Sequence, residues 1–326
     1  RWDTMSQMHL TGTPVASTSP EHHANPALLY DATNPYEQRV SVNPGQTVTG
    51  INFANYEEPV TPPPPPSSEY AGTGNVNVIT AGNTLILNGD AGHNGVFVYQ
   101  NGNGHVSIRG LGQTTINESA NPWVSPGWTS INGSLISYLV GGDDAMVFEN
   151  INVGANMLTD AGLGNNSIVG RNSSIGTSFD AYSNVGNAQV LLDNVNVGTI
   201  ANIITSGGDD KVVVRNSVIN GPLVALAGTG DDLFAADGTT VGGYLYSDTS
   251  LGDDQIGVVN GSSVSGTTTL VGSSGTDKVE FGNSSFGSNP TLISFEGNTI
   301  PDLNQLIDDM MTGLAQSGLG PGLATP

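Results

Sequence analysis

Asp210-Lys-Val-Val-Val-Arg-Asn216 is one of seven segments between Gly133 and Asn289 that read alike. The others are Asp144-Ala-Met-Val-Phe-Glu-Asn150, Asn166-Ser-Ile-Val-Gly-Arg-Asn172, Ala188-Gln-Val-Leu-Leu-Asp-Asn194, Asp232-Leu-Phe-Ala-Ala-Asp-Gly238, Asp254-Gln-Ile-Gly-Val-Val-Asn260 and Asp277-Lys-Val-Glu-Phe-Gly-Asn283. Their last position advances by 22 residues five times and by 23 once, and six of its seven occupants are Asn. A unit of this size has too little apolar surface to fold alone and must stack on its neighbours, so the period means a solenoid.

Two residues past the first position stand Met146, Ile168, Val190, Val212, Phe234, Ile256 and Val279, all apolar. Four past it the residue is apolar or small, and the residues between read as mostly charged or polar, the period-2 pattern of a half-buried strand. A helix does not fit, because Gly and Asn punctuate every unit. Twenty-two residues suit one coil of three short strands and three turns. The expected fold class is therefore all-β: a right-handed parallel β-helix solenoid of about nine to ten coils. In architecture, though not in any catalytic motif, this resembles the pectin-lyase-like β-helix superfamily.

Stacking turns each position of the unit into a column. Asn150, Asn172, Asn194, Asn216, Asn260 and Asn283 form one, suited to a left-handed corner and to amide hydrogen bonds from coil to coil. Glu149, Arg171, Asp193, Arg215 and Asp237 form another, with alternating signs, as a charge ladder would have on an exposed face.

The chain has 326 residues, 45 of them Gly, and a net charge of −22 from seven basic and 29 acidic residues. Such a surface disfavours nucleic acid and anionic membranes and favours divalent cations as partners. There is no cysteine and no apolar run of membrane-spanning length, so no membrane insertion is expected. Beginning at Arg1-Trp2-Asp3, the chain reads as a piece of a longer precursor, and its Thr/Ser/Asn/Gly-rich surface points to an extracellular or cell-surface location.

Four segments are expected: 1–58, a partial β-sandwich-like strand segment or arm; 59–71, a Pro-rich linker; 72–300, the β-helix; and 301–326, a capping helix and tail. Gln38 to Asn55 reads as two strands around an Asn43-Pro44-Gly45 turn. Pro44-Gly-Gln-Thr-Val-Thr-Gly-Ile-Asn-Phe-Ala-Asn55 resembles the closing strands of SdrD B-like and Cna-B-type sandwich domains of bacterial surface proteins. A whole sandwich of that class needs about 100 residues. The shortfall implies an arm that completes a sheet elsewhere, as in strand addition, and hence a homo-oligomer or filament built through residues 1–58. The short apolar runs at Val76, Thr84, Gly95 and His105 read as the first two coils. Leu303, Leu306, Ile307, Met310, Met311 and Leu314 share one helical face, the expected lid over the open final coil.

Gly228-Thr-Gly230-Asp231-Asp232-Leu233-Phe234 has the spacing of the calcium-binding turn of repeat-in-toxin proteins, and three other units match it less the first Gly. That resemblance implies Ca²⁺ at Asp209, Asp210, Asp231, Asp232, Asp253, Asp254 and Asp277. In the resembled family the turn recurs twice per coil, whereas here it recurs once. Self-capping of each turn by its own Asp is the other reading. Trp123 and Trp128 offer rings for glycan stacking or for packing on a coil flank. Arg171 and Arg215 belong to the charge ladder, and the Asp pairs recur where an active site would occur once, so no catalytic residue is assigned. The expected function is a non-enzymatic structural or adhesive module; a carbohydrate-binding or polysaccharide-cleaving β-helix is the alternative.

Overall fold

The computed structural model describes residues 70–100, 104–119, 123–297, 300 and 302–320. The expected arm (1–58), most of the Pro-rich linker and the tail from Pro321 lie outside these residues. The described part is a parallel β-solenoid. Seven coils begin at Leu135, Met157, Phe179, Ala201, Leu223, Leu245 and Thr268. One coil shows the plan: Ala201–Thr205 on the first sheet, Lys211–Arg215 on the second, and the two-residue strand Val218–Ile219 on the third side. Leu223–Leu226 then opens the next coil above Ala201.

Register follows the sequence period. Val190 pairs with Val212, Val212 with Phe234 and Phe234 with Ile256, all parallel. These columns are buried and, with their counterparts from the other two sides, fill one continuous core. Volume is matched between coils: a Cβ on Gly170 would lie 2.1 Å from the Phe148 ring, so the small residue makes room for the large one below it.

The Asn column has the expected backbone. Asn150, Asn172, Asn194, Asn216, Asn260 and Asn283 take φ between 47° and 57°, and Gly238 completes the series at 59°. The left-handed residue turns the chain from the second sheet to the third side. Beyond the corner a hydroxyl from the next coil accepts the stranded N–H, as when Val195 donates to Ser217 Oγ at 3.0 Å and Ile151 to Ser173 Oγ at 3.1 Å.

Three expectations are corrected. The first is the coil count. Asn75–Ala81 and Thr84–Asn88 form an antiparallel hairpin, as do Gly95–Gln100 and Val106–Gly110. Their turns are too short for a crossover to parallel strands, so Asn75–Ala81 and Val106–Gly110 fold back and close the end, while Thr84–Asn88 and Gly95–Gln100 stack parallel on Leu135–Tyr138 and Ala145–Glu149.

The second concerns the residues between the inward columns. They include Val147, Val169, Leu191, Val213 and Ala235, an apolar column on the outside of the second sheet. An outward apolar column needs a cover, and the C-terminal helix supplies it.

That helix, α1 (Leu303–Leu314, continuing as a wider turn to Leu319), is the third correction. It lies along the flank of the solenoid and does not close its end. Leu303 fills the space above Gly257, where a Cβ would come within 2.4 Å of its Cδ2. Asn304 accepts from Asn260 at 3.0 Å, and the Leu319 carbonyl accepts from Arg171 Nη2 at 2.6 Å. From Leu303 to Leu319 a helix rises about 24 Å at ~1.5 Å per residue. The four coil steps from Gly257 to Arg171 span about 19 Å at ~4.8 Å each. Leu303, Ile307, Met310, Leu314 and Leu319 are all buried against the sheet.

Candidate functional site

The acidic turns join the first sheet to the second, and stacking makes two columns of them. In the outer column Asp231 N–H donates to Asp209 Oδ1 at 3.0 Å, Asp253 N–H to Asp231 Oδ1 at 2.9 Å and Thr276 N–H to Asp253 Oδ1 at 2.7 Å. The same step continues downward through Asn187 and Asn165 to Asp143. The inner column runs the other way. Asp210 N–H donates to Asp232 Oδ1, Asp232 N–H to Asp254 Oδ1 and Asp254 N–H to Asp277 Oδ1, at 2.8, 2.8 and 3.0 Å. Two opposed ladders thus tie each turn to the coil below and the coil above. An Asp here satisfies its neighbour's turn; in the self-capping reading it would have satisfied its own.

The two columns differ in burial. Asp209, Asp231 and Asp253 are at the surface, whereas Asp144, Asp210, Asp232, Asp254 and Asp277 are at most 1% exposed. Each inner carboxylate has one oxygen in the ladder and a second, Oδ2, buried without a hydrogen-bond partner. Burial, with repulsion from neighbouring carboxylates, pushes Asp144 and Asp232 up to about 8 and Asp210 and Asp254 up to about 6. Asp277 is raised for the same reasons. At neutral pH Asp144 and Asp232 therefore hold their protons, while Asp210 and Asp254 release theirs at lower pH. Asn166 occupies the same column as a natural neutral counterpart: its Oδ1 accepts from Asp144 N–H at 2.8 Å and its Nδ2 donates to Ser183 Oγ at 3.0 Å.

The glycines of the turn have a steric reason. Gly142, Gly164, Gly186, Gly208, Gly230, Gly252 and Gly275 all have φ between 104° and 151°. A Cβ on Gly230 would lie 2.0 Å from the Gly208 carbonyl oxygen of the coil below. Gly230→Ala is expected to cost roughly 3 kcal/mol or more, from backbone strain and the clash together. Chemical denaturation measures it, and a loss under 1 kcal/mol would show that the turns do not stack this closely.

The Gly-x-Gly-x-Asp spacing thus has a sufficient cause in stacking. Calcium takes six to eight oxygens, and no group of three or more His, Cys, Asp or Glu is gathered for a metal among the described residues. Lys211 and Lys278, beside the acidic turns, form no ion pair with them there. No family model matches this chain, and no curated protein or solved structure matches it.

The charge ladder has the expected register, with Arg171 paired to Glu149 and Asp193, and Arg215 to Asp193 and Asp237. Its setting is a correction: the face is not open to solvent throughout. Arg215 meets Asp193 at 3.5 Å and Asp237 at 4.0 Å, partly exposed. Arg171 is 2% exposed under the last turn of the helical segment, with its Nε and Nη1 lacking hydrogen bonds. Burial lowers its pKa, against the pull of Glu149 and Asp193. In the Asn column, Asn194 donates to Asn172 at 2.9 Å, while Asn216 and Asn260 turn to Asp193 and Asp237. The amides therefore serve both columns.

Trp128 is half-buried against the interior core, and its carbonyl accepts from Val106 N–H at 2.6 Å. Trp123 opens a two-residue strand opposite Arg109. Sequence reasoning missed the burial of the inner Asp column, the hydroxyl column after the Asn corner and the outer apolar column. The last was legible in Val147, Val169, Leu191 and Val213 and was lost by treating those positions as polar.

Proposed function

We propose that this chain is a non-enzymatic structural or adhesive module of a bacterial extracellular or cell-surface protein: a stiff rod that assembles with its own kind through residues 1–58. One observation carries the reading. Matched side chains recur from coil to coil in columns, whereas a catalytic centre needs unlike groups brought together once. The acid-rich turns, the strongest chemical feature of the sequence, are occupied with holding coil to coil. A solenoid fixed by three ladders of side chains transmits load along its axis with little bending, the property a surface rod requires.

Sedimentation velocity tests the assembly. The full chain is expected to give a concentration-dependent large species, and a chain beginning at Tyr70 is expected to lose it. Saturable binding of a glycan by the shortened chain, with no large species from the full one, would favour the carbohydrate-binding alternative. Calcium is tested separately: because one oxygen of each ladder carboxylate already accepts a turn N–H, a chelator is expected to leave the melting temperature within about a degree. A fall of several degrees would assign the outer column to a cation.

A further inference from the structure

Where the second sheet turns to the third side, a groove of 510 Å³ runs along the solenoid over four coils, a volume within the range of ligand clefts. One lip is the exposed Asn column, Asn150, Asn172, Asn194 and Asn216. The opposite lip is the outward column of the third side, from Asn152 through Ser174 and Asn196 to Val218. Buried residues such as Val195 make the floor. Above Asn216 the first lip stops, because the next residue in the column is Gly238.

No charged side chain lines this groove, on a chain of net charge −22. Its lips are amides and hydroxyls, groups that donate and accept. Asn194 donates to Asn172 at 2.9 Å, Asn220 to Asn196 at 3.3 Å and Ser174 to Asn152 at 2.9 Å. These bonds leave Asn172 Nδ2, Asn152 Nδ2, Asn194 Oδ1 and the whole Asn150 amide without a protein partner among the described residues. Below Asn152 the second lip continues to Ser130, since Ile131 pairs with Val153. There a hollow of 210 Å³ is lined by half-buried Trp128 with Ser130 and Asn132. It meets the groove where Gln100 donates to the Thr129 carbonyl at 2.8 Å.

We propose that the groove binds a neutral, extended oligosaccharide, laid along the solenoid axis with one end at Trp128. The free polar groups recur at each coil, about every 4.8 Å, so the fitting ligand repeats at a similar step and carries hydroxyls on every unit. A β-linked sugar chain does both. An extended peptide, at about 3.3 Å per residue, presents its groups out of step with the coils. Acidic polymers are turned away by the net charge and by the lack of any basic residue in the lining. An aromatic side chain at one end of the amides offers a face on which a sugar ring stacks. The site rests on the non-enzymatic adhesive reading above, whose ligand class it supplies, but not on assembly through residues 1–58.

Calorimetric titration of the full chain with β-linked hexamers of glucose, mannose and N-acetylglucosamine tests the groove, with hexagalacturonate as the anionic control. At least one neutral hexamer is expected to bind saturably, more than tenfold tighter than its own dimer and than the control. Asn194→Gly keeps the left-handed corner, as Gly238 does in its coil, and Asn196→Ala changes an exposed strand position. Each is expected to weaken binding several-fold and the two together at least tenfold, with circular dichroism unchanged. No binding of any neutral hexamer overturns the inference. So does equal binding of the anionic hexamer, or binding that survives both substitutions. The rod reading fails separately: a chain that sediments as a large species yet binds no hexamer loses the groove and keeps assembly, whereas a hexamer bound and then cleaved keeps the groove and removes the non-enzymatic role.

Discussion

Raising the pH from about 4 to about 8 is expected to lower the stability of this protein by several kcal/mol, the reverse of the usual carboxylate effect. The inner column is the cause. Asp144, Asp210, Asp232, Asp254 and Asp277 are buried, and their pKa values lie above the ordinary 3.8. Below that value folded and unfolded chains are both protonated, and these groups give no pH dependence. Above it the unfolded chain releases protons that the folded chain retains, so stability falls. The fall continues through about 6 for Asp210 and Asp254 and about 8 for Asp144 and Asp232, then levels.

Melting temperatures across this range read the effect directly. A control separates the column from the general repulsion of an acidic chain. Asp232→Asn retains the ladder acceptor, as Asn166 does in its own coil, and has no proton to lose. It is expected to be nearly neutral at pH ~4 and to raise the melting temperature at pH ~8 by several degrees. A melting temperature that climbs steadily from pH ~4 to ~8 would show that the inner carboxylates are ionised in the fold.

Removing residues 302–320 should have an effect of similar size. The segment buries Leu303, Ile307, Met310, Leu314 and Leu319 against the outer column of Val147, Val169, Leu191, Val213 and Ala235. Without it a long apolar stripe faces water on a sheet whose strands remain paired. The expected result is retained β-type circular dichroism, a melting temperature lower by about 10 °C, and binding of an apolar dye with aggregation. The milder Ile307→Asp places a charge at a 2% exposed position. It is expected to cost about 3 kcal/mol or more and to raise hydrogen exchange in the helix before the strands. If the truncated chain melted like the full one, the helix would be an appendage and the apolar column would need another cover.

The sign of the pH effect and the place of the helix came from the same source. A repeat of 22 residues tells which residues share a column, because parallel strands stack in register. What the column then meets is a property of the assembled solid. Asp231 and Asp232 are adjacent in the chain and look interchangeable, yet one faces solvent and the other is sealed at 1% exposure. Period-2 alternation separates their two sides without saying how deep each lies.

The sequence by itself determined the coil length, the inward apolar columns, the left-handed corner at Asn194 and its equivalents, and the register of the charges at Arg171 and Arg215. These are local or translational properties, set by backbone sterics and repeated at every step. The tertiary structure alone decided that the opening strands fold back as hairpins and that an Asp serves the neighbouring coil's N–H. It alone decided, too, that the helix turns along the flank and covers the outer apolar column. Each of those depends on which surfaces remain uncovered once the coils have stacked, a quantity that no single repeat contains.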